Sequence, residues 1–98
     1  MNPALERACM ALWSATLSLM TAFMLQAAPA HRLLLARRIA ANFETLAQQE
    51  VFSGASRDAF ARLHGRWRSV AAELARTAPS QDGHGLLQHL LALRPPHL

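Results

Sequence analysis

Residues 8–30 read ACMALWSATLSLMTAFMLQAAPA, and the way this run is packed decides the fold. It carries no charged residue. A helix of this length, rising about 1.5 Å per residue, is long enough to cross a bilayer. Ala28-Pro29-Ala30 also has the small-x-small form of a signal-cleavage site. A cleaved signal is the weakest reading, because Glu6 neutralises Arg7 and the mature chain would start on a basic stretch from His31-Arg32 to Arg37-Arg38. A membrane span is stronger, yet it would bury Ser14, Thr16, Ser18 and Thr21 and would carry alanines where spans carry leucines. A buried core helix fits best. If the helix does span, the arginines after it place the C-terminal part in the cytoplasm and the protein in the inner membrane; otherwise the reading is cytoplasmic.

Outward from this run, Asn2-Pro3 is a helix start: Asn caps, and Pro fits the first helical position. The first helix is expected over about 3–26. Pro29 ends it and can open a second helix over about 30–52. Ser53-Gly54-Ala55-Ser56 is a turn with Ser53 or Ser56 as the next cap, and a third helix is expected over about 57–77. Pro79-Ser80-Gln81-Asp82-Gly83 reads as a linker, followed by a short leucine-rich helix over about 85–93 that stops at Pro95-Pro96. No alternating strand pattern and no repeat is visible. The expected fold is all-α: a three-helix antiparallel bundle over 1–78, then a linker and short amphipathic helix over 79–98, the whole completed by oligomerisation.

The first helix carries two seams. Met10, Trp13, Leu17, Met20 and Met24 form a bulky one, and Ala4, Ala8, Ala11, Ala15, Ser18 and Ala22 form a small one. At about 100° per residue they fall on roughly opposite sides. The second helix has a wide apolar face of Leu35, Ala36, Ile39, Ala40, Phe43, Leu46 and Ala47, with Arg37, Arg38, Glu44 and Thr45 on its far side. The third has a narrow seam of Phe60, Leu63, Trp67, Val70 and Leu74, and Asp58 and Arg62 are spaced for an i,i+4 ion pair. Helices two and three should form a hairpin across a short Gly-containing turn, closed by the bulky seam of helix one. The small seam is then left bare. Ala8, Ala11, Ala15, Ser18 and Ala22 are therefore the first candidate interface, to itself as a homodimer or to another helical protein. Leu86, Leu87, Leu90 and Leu91 are the second, since so short an apolar helix must dock on something.

All ten basic residues are arginines, set against six acids for a net charge of +4. Absent lysine points first to a GC-rich coding bias. Arg62, Arg66, Arg68 and Arg76 are the candidate face for an anionic partner, nucleic acid or an anionic membrane, with a solvated face as the plainer alternative. The single cysteine, Cys9, excludes an intrachain disulfide. His31, His64, His84, His89 and His97 show no i,i+4 pairing with one another or with a carboxylate. Cys9, Met10, Met20 and Met24 with His31 could be drawn together as a soft copper site, but methionines at core spacing are ordinary packing. With no phosphate-binding glycine loop and no nucleophile beside a base, no enzyme, cofactor or metal is expected. The functional reading reached by elimination is a small helical assembly module. A membrane-attached protein and a basic nucleic-acid-associated protein are the alternatives.

Overall fold

The computed structural model describes residues 2–77. They form three α-helices: α1 (Pro3–Leu25), α2 (Pro29–Ala47) and α3 (Gly54–Thr77). The expected leucine-rich helix, with Leu86, Leu87, Leu90 and Leu91, lies outside the described residues.

Each helix starts as its local chemistry dictates. Asn2 accepts from the Ala4 amide at 2.9 Å, and Pro3 occupies the first helical position. Pro29 opens α2 in the same way, without a side-chain cap. Ser53 caps α3: its Oγ accepts from the Ser56 amide at 3.1 Å and its carbonyl accepts from the Arg57 amide at 2.9 Å. The third helix thus starts three residues before the expected 57.

The second helix stops short of the expected 52. The amides of Gln48 and Gln49 bond back only three residues, to Thr45 and Leu46, and the Gln49 side-chain amide covers the Thr45 carbonyl at 2.9 Å. This early stop lets Phe52 sit edge-on to Phe60 at 5.0 Å between centroids. No described residue has a positive φ, so the connection does not use Gly54 as a left-handed turn residue; Gly54 is the first residue of α3 instead.

The core is organised around α2, against which both α1 and α3 pack. Ala36, Ile39, Phe43 and Leu46 are fully buried, and Leu33 and Ala40 nearly so. All four phenylalanines and both tryptophans join the packing. Trp13, Phe43, Phe52 and Phe60 form one cluster, while Phe23 meets Trp67 edge-on at 5.0 Å.

The packing of α1 corrects the expected seam. Its buried line is Cys9, Thr16 and Phe23, flanked by Leu12, Trp13, Leu19 and Met20. Met10, Leu17 and Met24 from the expected seam are exposed, at 53%, 45% and 79%. The reason is that α1 packs chiefly along α2 and meets α3 through Trp13 and Phe23, so a narrow stripe makes the contact. Thr16, a small residue with no exposed surface, sits at the centre of that stripe. Its hydroxyl donates to the Leu12 carbonyl at 2.7 Å, so burial leaves no polar atom unpaired. Trp67 is half-buried and packs on Phe23.

Candidate interaction surfaces

The outer surface of α1 is apolar and uncovered. Ala8, Ala11, Ala15, Ser18 and Ala22 are all exposed. At 100° per residue Ala8, Ala15 and Ala22 lie about 100° to one side of the buried line, with Ala11 and Ser18 further round toward its opposite side, and Met10, Leu17 and Met24 lie about 100° to the other side. The two seams thus bracket the buried line, and the bulky one does not replace it.

The small stripe borders a cleft. Ala15 and Ser18 of α1, with Leu12 and Leu19, face Leu34, Leu35, Arg38 and Asn42 of α2 around a cavity of about 650 Å³. Leu34, 61% exposed, stands on its rim. Sequence reasoning missed Leu34 as a surface residue. The run Leu33-Leu34-Leu35 hides it: one side chain of three consecutive leucines on a helix must point away from a single contact face.

The expected arginine face splits in two. Arg62, Arg66 and Arg76 share one side of α3 by helical spacing, and Arg76 is held by an ion pair with Glu73. Arg68 lies on the other flank. It lines a cavity of about 360 Å³ with Arg37, Ala40, Ala41, Glu44, His64 and Ala71. Arg37 and Glu44, expected on the far side of the second helix, therefore border its contact with α3. Among the described residues Asp58 and Arg62 do not form the expected ion pair; Glu73 pairs with Arg76, and His64 stands 4.0 Å from Glu44. Arg66 instead borders an apolar cavity of about 420 Å³ with Phe23, Arg32, Val70 and Leu74.

Two polar side chains lock helices to each other. Arg32 reaches from α2 to the end of α1, donating to the carbonyls of Phe23 and Gln26 at 3.2 and 3.1 Å. His64 of α3 bonds through Nδ1 to the Ala40 carbonyl of α2 at 2.9 Å, and its Nε2 stands 4.0 Å from the Glu44 carboxylate. Because a carbonyl only accepts, Nδ1 carries the proton. Among the described residues no three of His, Cys, Asp and Glu stand close enough together to hold a metal ion.

No protein-family model, curated protein or solved structure matches this chain.

Proposed function

We propose that this protein is a small, non-enzymatic helical assembly module of the cytoplasm that pairs with a second copy of itself through the small stripe of α1. One observation carries the reading. The helix is docked lengthwise on α2, yet its outer side presents Ala8, Ala11, Ala15, Ser18 and Ala22 to solvent without a charge among them. Small side chains let two helix backbones approach closely. Ala8 and Ala22 lie seven residues to either side of Ala15, so a two-fold axis at Ala15 sets Ala8 of one copy against Ala22 of the other. Such a self-complementary patch is what an antiparallel, isologous dimer requires.

A second reading has its own support. An 18-residue window within α1 has a mean hydropathy of 1.6 with only 17% of it buried, so by length and composition the helix can cross a membrane. Against it, Arg38 of α2 borders the same cleft as Leu19 in the middle of α1. Inserting α1 while α2 stays docked would draw that charge into hydrocarbon. Insertion therefore requires α1 to leave the bundle, whereas pairing in water does not.

Sedimentation velocity of the full chain in detergent-free buffer, across a range of concentrations, tests the proposal. The expected result is a dimer mass. A monomer at every concentration removes the pairing, and a chain that stays in solution only with detergent transfers the reading to the membrane.

A further inference from the structure

We infer a phosphate-binding site between α2 and α3, built on Arg37 and Arg68 and independent of the α1 surface. His64 lies against the Ala40 carbonyl at 2.9 Å. In the antiparallel pairing of α2 and α3, Arg37 is three residues before Ala40 and Arg68 is four residues after His64. The two arginines are therefore brought to the same end of one cavity of about 360 Å³, over a floor that includes Ala40, Ala41 and Ala71. Among the described residues neither arginine has an ion-pair or hydrogen-bond partner, while Glu44 occupies the opposite end beside His64. Two positive charges on facing helices beside one cavity favour an anion there. Each offers a planar fork of N–H donors suited to phosphate oxygens.

His64 and Glu44 mark the other end of the cavity. With Nδ1–H committed to the Ala40 carbonyl, His64 Nε2 stands 4.0 Å from the Glu44 carboxylate. The oxygens of a phosphate group can accept from Arg37 and Arg68 together. Glu44 repels an anion from its own end and so fixes the phosphate at the arginine end. The ligand class is inorganic phosphate or a phosphate monoester, either free or carried as a lipid headgroup.

The test follows the arginine Nε–H resonances of the full chain during titration with inorganic phosphate. The expected result is saturable movement of Arg37 and Arg68, with Arg62 and Arg66 unmoved as internal controls. Arg37→Gln and Arg68→Gln, whose side chains are exposed and whose loss should leave unfolding curves unchanged, should each weaken binding roughly tenfold or more. A second arm measures co-sedimentation with phosphatidylcholine vesicles with and without phosphatidate. Saturation by free phosphate assigns a soluble ligand. Retention on phosphatidate vesicles alone, abolished by the Arg37→Gln and Arg68→Gln pair, assigns a headgroup. Equal movement of all arginines, or no response in either arm, overturns the site, and neither result bears on whether α1 dimerises.

Discussion

Arg32 stacks on Phe23 with its guanidinium carbon 4.0 Å from the ring centroid, and the same guanidinium donates to the Phe23 carbonyl at 3.2 Å. One side chain thus grips both the ring and the backbone of a single residue across the corner between α1 and α2. The last turn of α1 contains no basic residue of its own. Arg32 supplies from the next helix the positive charge that a helix C-terminus favours, and it satisfies carbonyls that have no partner within α1. This corner is what holds the apolar first helix down on α2 at its C-terminal end.

Arg32→Ala is accordingly expected to lower stability by about 1–2 kcal/mol, combining the cation–π contact with charge-assisted bonds in a half-buried setting. For a domain of this size that is a fall of roughly 5–15 °C in the unfolding midpoint. Arg32→Lys should lose less, keeping the charge without the planar fork. Equal midpoints for the parent and Arg32→Ala in a thermal scan followed by circular dichroism would show that the corner is held elsewhere.

The two tryptophans should respond differently to truncation. Trp13 lies 5.9 Å from Phe43 and 5.2 Å from Phe60, linking α1 to both other helices. Removing it is expected to cost about 3–5 kcal/mol, a large share of the stability of a small domain. Trp67 is half-buried, with one ring partner, Phe23. Its removal should cost less. Urea titrations of Trp13→Ala and Trp67→Ala, each followed through the remaining tryptophan, give the order; a larger loss for Trp67→Ala would reverse the assignment of the core.

Thr16 provides a sharper check on the seam. Its hydroxyl bonds to the carbonyl one turn back and to no other helix, so Thr16→Val should change stability by less than about 1 kcal/mol. Thr16→Leu adds volume at a position with no exposed surface and should cost about 1–3 kcal/mol. If Thr16 faced solvent, both changes would be nearly silent in a denaturant titration.

The contact face of α1 is the part of the fold least legible in the sequence. Caps and breakers are local chemistry, so Asn2-Pro3, Pro29 and Ser53 are legible and the three helices follow from them. The contact face of α1 is not. Met10, Trp13, Leu17, Met20 and Met24 recur every three or four residues, as do Cys9, Trp13, Thr16, Met20 and Phe23, and in a helix apolar nearly all round periodicity cannot choose between such neighbouring lines. Residue size misleads further, because the closest contact falls on the small, nominally polar Thr16. The end of α2 was hidden for a different reason: Phe52 continues the helical pattern in sequence, and only its long-range contact with Phe60 draws it out of the helix. Arg68 sits two residues from Arg66, which on a helix is a separation of about 200°, so the two cannot serve one face. Among the candidate surfaces, the exposure of the small stripe was readable because it follows from composition and spacing alone.

The small stripe also carries the most decisive substitution. Ala15 lies midway between Ala8 and Ala22 and on the wall of the cleft that holds Leu34. In a dimer paired about this residue, Ala15→Leu should push the helices apart at a cost of about 1–3 kcal/mol. Ala15→Glu should do more, since two unpaired carboxylates would meet at the axis away from water. Because Ala15 is exposed within one copy, neither change should disturb the fold of the isolated bundle, and circular dichroism of the variants should remain helical. Light scattering then separates the outcomes. Dimeric parent and monomeric Ala15→Glu, both helical, place the contact on this stripe. A dimer indifferent to both changes moves the interface off α1's small side, with Leu86, Leu87, Leu90 and Leu91 as the next residues to substitute. If Ala15→Glu remains bound to vesicles as the parent does, the stripe does not face lipid either, because a carboxylate at the middle of an inserted helix would cost about 2.5–3.5 kcal/mol on insertion scales.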